Sequence, residues 1–286
     1  MSVIPALVRR HCLIFFRDRM NVFFSMLGAI IVLLLYITFL KNLMIQSVPG
    51  EYGSSLMDSW IIAGILAVTS VTAALGSLGI LVSDKTSGAS KIVTVSPVKP
   101  IQVAASYIIS SFLITMMLGI FVLMCAEVFI AVSGGPLLSA VALLEVLGVM
   151  IAGTASSCSI MFFVATLLKT TESYSTACVI VGTLVGFVAG TYIPMGTLPE
   201  AMRNVVMMMP VSHEGMILRQ IFMDVPEGLY FEGASADAVH QFNVDMGYVF
   251  NVGGTDLSIW ISLLFLVGTA ALFLLLSSYM ISRKKD

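Results

Sequence analysis

Charge is what this 286-residue chain has least of: Asp, Glu, Lys and Arg together make up 10% of it, against 58% hydrophobic residues. Soluble domains carry about 25% charged residues, so a charged, water-facing globular surface is excluded. Cysteine is scarce too. Cys12, Cys125, Cys158 and Cys178 have no close partner in sequence, and three of them lie in apolar runs. That excludes a visible disulfide framework or metal spacing and leaves small side chains that pack in a core. There is no His-Glu-x-x-His, no nucleophile elbow and no glycine-rich phosphate loop, so neither a familiar catalytic constellation nor a P-loop for ATP is encoded. His213 and Glu214 are neighbours that face different ways on a helix, and His240 with Asp245 lies in a polar stretch; neither pair reads as a metal site. The few basic residues are scattered, which excludes a nucleic-acid footprint.

What is present is long apolar runs. Six stretches are free of charge: 21–40, 59–83, 100–126, 146–168, 173–199 and 257–282. A helix needs about 20 residues to cross about 30 Å of hydrocarbon, and helices are required because open strand edges would leave backbone groups unpaired in lipid. The third and fourth runs extend towards a tight Ser133-Gly134-Gly135-Pro136 turn. The expected spans are therefore 21–40, 59–83, 100–132, 137–168, 173–193 and 257–282, and the expected fold is an all-α membrane protein with six transmembrane helices. The first run is longer than a signal-peptide core and no small-residue cleavage site follows it, so it reads as a retained span.

Lysine and arginine set the orientation. With the N-terminus inside, Arg9, Arg10, Arg17, Arg19, Lys85, Lys91, Lys99, Lys169, Arg283, Lys284 and Lys285 fall on inner segments, and Lys41, Arg203 and Arg219 on outer ones. That bias favours cytoplasmic N- and C-termini. The acids from Glu200 to Asp256 gather in the last outer loop.

Three segments are not spans. Residues 2–20 put Ile4, Leu7, Val8, His11, Cys12 and Phe15 on one helical face and Arg9, Arg10 and Arg17 on the other, the pattern of a helix lying in the membrane interface against lipid headgroups. The inner loop 84–99 is longer than a minimal turn and holds either a short helix ended by Pro97 or a solvated basic loop. The outer segment 194–256 has apolar periodicity at Met202, Val205, Val206 and Met209 after Pro199. A second stretch carries Ile217, Leu218, Ile221 and Phe222, with Ser212 as its expected cap and Glu214 in its first turn. Too short to span and too apolar for a free loop, they read as a re-entrant hairpin. Residues 224–256 form a small outer cap or loop.

Glu127 and Glu145 are the only carboxylates inside the expected spans, and Glu145, about 13 Å past the turn at helical rise, is the stronger candidate for a path residue. Thr69 and Thr72 in the second span, with Thr183 and Phe187 in the fifth, complete a candidate path; packing in a core is the competing reading. Gly182, Gly186 and Gly190 form a small-residue stripe at i, i+4, i+8 that suits close helix packing.

These parts, in this order, resemble the type 2 ABC transporter permeases. The match is most specific in the inner loop, where Asp84-Lys85, Gly88, Ile92-Val93 and Ser96-Pro97-Val98 follow the family pattern, while Ala89-Ser90-Lys91 departs from its usual Thr-Leu-Glu. Pro194 with Pro199 and Arg203, and Met209-Pro210 with His213, are similar to the family's outer segment. The resemblance covers all but residues 224–256. It implies a non-catalytic permease, paired as a homodimer, with two ATP-binding cassette subunits that carry ATP and Mg. Asp84, Lys85, Gly88, Lys91, Ser96 and Pro97 would form the coupling segment, spans two and five would line the path, and export of an amphipathic drug, peptide or lipid-like substrate across the plasma membrane would follow. No cofactor is expected in this chain. An ion-coupled secondary transporter, or a membrane sensor or immunity protein without transport, is the alternative.

Overall fold

In the computed structural model, residues 3–42, 44, 48–50, 52–89 and 98–283 are described. Helix α1 (Val3–Arg17) precedes α2 (Arg19–Leu35), which continues as a π-helical turn, Tyr36–Leu40. Then come α3 (Gly53–Thr86), α4 (Pro100–Val132), α5 (Ala140–Leu167) and α6 (Thr171–Val188). Four short helices follow: α7 (Glu200–Met207), α8 (Pro210–Phe222), α9 (Asp224–Tyr230) and α10 (Ala236–Asp245). A minimal hairpin, β1 (Asn251–Val252) with β2 (Thr255–Asp256), leads into α11 (Ile259–Arg283). Among the described residues six helices are long and apolar enough to cross a membrane: α2 with its π turn, α3, α4, α5, α6 and α11. The expected six-span, all-α architecture is what the molecule has.

The centre of the fold is α3. Its 34 residues would extend about 51 Å, more than one bilayer core, and nearly every side chain along its middle is buried. It packs against α2, α4, α5, α6 and α8. Close approach to α2 rests on glycine: a β-carbon on Gly76 would stand 1.8 Å from Ser25 Oγ, and one on Gly28 would stand 3.0 Å from a Thr72 methyl. The helix starts at Gly53 rather than at residue 59 and runs through residues 84–86, which belong to its last turn and not to a loop. Two carboxylates, Asp58 and Asp84, therefore lie within this span, a correction to the reading that Glu127 and Glu145 were alone. Each is neutralised across the fold. Asp58 accepts hydrogen bonds from the Tyr36 hydroxyl (2.7 Å) and the Lys41 ammonium (2.8 Å), both placed by the π turn.

Caps explain most other boundaries. Asp18, Ser139 and Thr170 each accept a backbone N–H from the first turn of α2, α5 and α6. Helix α6 ends at Val188, five residues earlier than expected. Gly190 takes a left-handed conformation (φ 62°), and the Thr191 N–H reaches back to the Gly186 carbonyl at 2.9 Å. In α8, Pro210 opens the helix, so Ser212 is not its cap; its hydroxyl donates to the Val188 carbonyl, and Glu214 lies in the helix middle. The Ser133–Pro136 turn is present, closed by the Gly135 N–H on the Ile130 carbonyl (3.0 Å) and by the Leu138 N–H on Glu127 (3.3 Å).

Candidate translocation groove and its two end clamps

One end of the bundle carries Arg9, Arg10, Arg17, Lys85 and Lys169, the basic end; α7 to α10 cover the other, the loop end. At the basic end, Arg10 of α1 holds Asp84 with two hydrogen bonds, 2.7 and 2.9 Å, and the Tyr107 hydroxyl of α4 donates to the same carboxylate at 2.6 Å. His11 stacks flat on Tyr107, with ring centroids 4.1 Å apart. The Asp84 hydrogen bonds push the Arg10 guanidinium above its usual range, whereas burial, aided by Arg10, brings the His11 imidazole down to about 4. Helix α1 thus packs His11 and Phe15, both buried, onto α4, while Leu13, Ile14 and Phe16 stay exposed. Arg9, Leu13, Ile14 and Arg17 face outward around a surface hollow of about 600 Å³. Lys85 donates to the Ala165 carbonyl at 2.8 Å, so the end of α3 is also tied to α5. Gly88, with φ 77°, turns the chain away after α3. Lys91, Ser96 and Pro97 lie outside the described residues, as does the short helix expected before Pro97.

Between α2, α3 and α6 runs a groove of about 580 Å³, open along its length. It extends from Asn21 and Thr171 at the basic end to Ile31 and Thr183 further in, and no charged side chain lines it among the described residues. Thr72 and Thr183 of the candidate path face it, and so does Gly182 of the expected packing stripe. The Thr183 hydroxyl is satisfied by the Val179 and Ile180 carbonyls of its own helix (2.9 Å each), so the wall it presents is mainly methyl. Thr69 is fully buried one turn away, bonded to the Ile65 carbonyl (2.7 Å), and does not line the groove. Phe187 lies beyond its far end, exposed and edge-on to Tyr192. Glu145 is exposed in the second turn of α5, a helix that takes no part in the groove. Residues 136–139 are not helical, so the helix that carries it begins at Ala140 rather than at residue 137.

The glycine stripe divides. Gly182 is open, Gly186 abuts the Tyr192 ring, where a β-carbon would come within 2.2 Å, and Gly190 lies past the helix end. Asn21, Tyr174 and Cys178 also line the groove; Gly28 and Gly76, which bring α2 against α3, carry no periodic signal in the sequence and show their role only in the packing.

At the loop end, three ionisable side chains of α8 are buried and point to three different partners. His213 shares hydrogen bonds with Ser262 of α11 (2.9 Å) and the Met207 carbonyl (2.8 Å). Arg219 donates to the carbonyls of Ala189 (3.0 Å), Gly190 (2.8 Å) and Gly247 (3.4 Å) and lies 5.1 Å from the centre of the Trp60 ring. It therefore caps α6 at the negative end of its dipole. Glu214 accepts from Ser70 of α3 at 2.7 Å, and burial pushes its carboxyl up to about 8. Nothing local signals this arrangement, because the partners of His213 and Glu214 are distant in the chain.

No group of three or more histidine, cysteine or acidic side chains that could hold a metal is found among the described residues. No curated protein matches the chain. Residues 40–279 match the family described as ABC-2 family transporter protein, a stretch that holds α3 to α6 complete, the α8 end and most of α11, and begins after α1 and nearly all of α2 with its π turn. With six membrane-crossing helices and this match over most of its length, the chain belongs to the ABC-2 transporter family and is a multi-pass membrane permease.

Proposed function

We propose that this chain is the path-forming half of an ATP-driven exporter of amphipathic substrates, and that the groove between α2, α3 and α6 is its share of the path. Two copies would face each other across their grooves, and two separate ATP-binding cassette subunits, holding ATP and Mg, would dock at the basic end, placed in the cytoplasm with both termini. The observation that carries this reading is the double role of α3. Its middle walls the groove, while its last turn, fixed by Arg10 and Tyr107, leads directly into the segment that the family uses for coupling. A push on that segment acts on a helix buried along its length, and such a helix moves as a body rather than bending locally. Asp84, Lys85 and Gly88 are the described residues of the docking segment, and Lys91, Ser96 and Pro97 complete it. Uncharged walls with satisfied hydroxyls suit a drug, a lipid or an apolar peptide better than a free ion. Co-expression with its ATPase and reconstitution in vesicles is the test: amphipathic compounds should stimulate ATP hydrolysis by the pair. Transport driven by an ion gradient with no ATPase bound would contradict it.

A further inference from the structure

Glu214 plays no part in the groove, yet its environment is built. The side chain is 1% exposed and wedged between α3 and α5. Ser70 donates to Oε2 at 2.7 Å, the Ser70 and Ser157 hydroxyls are 3.1 Å apart, and Gly153 makes room: a β-carbon there would stand 2.0 Å from the carboxyl carbon. The other oxygen, Oε1, is buried and has no hydrogen-bond partner.

Among the described residues no cation pairs with this carboxyl. Arg219, on the same helix, directs its donors to three backbone carbonyls, and His213 is bonded to Ser262 and Met207. From α5 the titratable neighbour is Cys158, a thiol bonded with Ser111 and Thr115. From α3 the carboxylates are Asp58 and Asp84, at opposite ends of the helix and each with its own cation. An ionised carboxylate with one donor and no countercharge is far costlier to bury than the neutral acid.

We propose that Glu214, Ser70 and Ser157 form a proton-binding site, occupied in the conformation described here. The proton is held by the Glu214 carboxyl, whose Oε2 lies 2.7 Å from the Ser70 hydroxyl. Docking of α8 between α3 and α5 takes up a proton from water; withdrawal of α8, which wets the site, releases it. Because Arg219 of the same helix caps α6, a wall of the groove, proton binding and the position of that wall are linked. This holds whether or not an ATPase drives the chain, so its failure and that of the transport reading are distinguishable.

The test is infrared spectroscopy of the purified chain in lipid nanodiscs, titrated between about pH 5 and about pH 10, for the parent and Glu214→Gln. The expected result is a carboxylic-acid C=O band present in the parent near neutral pH, lost with a midpoint of about 8 and missing from the variant. A parent spectrum in which no acid band distinguishes it from Glu214→Gln near neutral pH would overturn the proposal. Should Glu214→Gln not fold, Ser70→Ala serves instead: loss of the one donor to the carboxylate raises the midpoint by about one pH unit, and an unmoved midpoint overturns the proposal.

Discussion

At Gly76 the space for a side chain is already filled by Ser25 of α2, whereas Gly148 in α5 has nothing within 4 Å of where a β-carbon would stand. The two positions make a matched pair. Gly76→Ala must push α2 off α3 and should cost about 1–3 kcal/mol, read as a lower melting temperature in mild detergent; Gly148→Ala should leave it unchanged. His11 gives a residue-scale prediction in pH. Its imidazole is neutral in the folded chain down to about 4, while an unfolded histidine takes up its proton near 6.5. Between those values the unfolded state binds more protons, so this residue's contribution to stability is lost as pH falls from 6.5 to 4. The full window amounts to about 3 kcal/mol. His11→Gln should remove that part of the slope when melting temperatures are compared across the window, and identical slopes would contradict the burial argument.

At the scale of elements, the central helix and α8 are each fixed by charges that are satisfied far away in sequence. Arg10→Ala leaves Asp84 with Tyr107 and no cation. With Arg10 42% exposed, the expected loss is modest, about 1 kcal/mol. Its larger effect should be on coupling: ATPase subunits still co-purify, but substrate stimulation of hydrolysis falls. Arg219→Met is the harsher change, because it strips three carbonyls of their donor in a wholly buried site. A loss of about 3 kcal/mol or more is expected, and Arg219→Lys should recover only part of it, since one ammonium cannot fork to carbonyls on two sides.

These same elements mark where the sequence was legible. Six long apolar runs, the Ser133–Pro136 turn and the amphipathic stretches after Pro199 follow from local composition and spacing, and all are present. Asp58 and Asp84 inside a span were not legible, because an acid reads as a boundary until its cation is known. Lys41 and Arg10 are 17 and 74 residues away. The early end of α6 rests on Gly190 in a left-handed cap, which read instead as part of a packing stripe. Of the candidate path residues, Thr72 and Thr183 line the groove while Thr69, Phe187 and Glu145 do not, and Gly182, read as a packing residue, lines it too; period alone does not say which neighbour a face meets.

For the whole molecule, the groove, the clamp at the basic end and the α8 latch at the loop end share one buried helix, α3. That arrangement makes α3 the element that an ATPase would have to move, and it places the groove on one side of it only. The most direct measurement is ATP-driven uptake of a fluorescent amphiphile into inverted vesicles holding the chain and its ATPase, with Thr72→Trp filling the groove. The account predicts ATP-dependent uptake that Thr72→Trp abolishes while ATPase association persists. Uptake that continues in Thr72→Trp, or that follows an ion gradient without ATP, would contradict it.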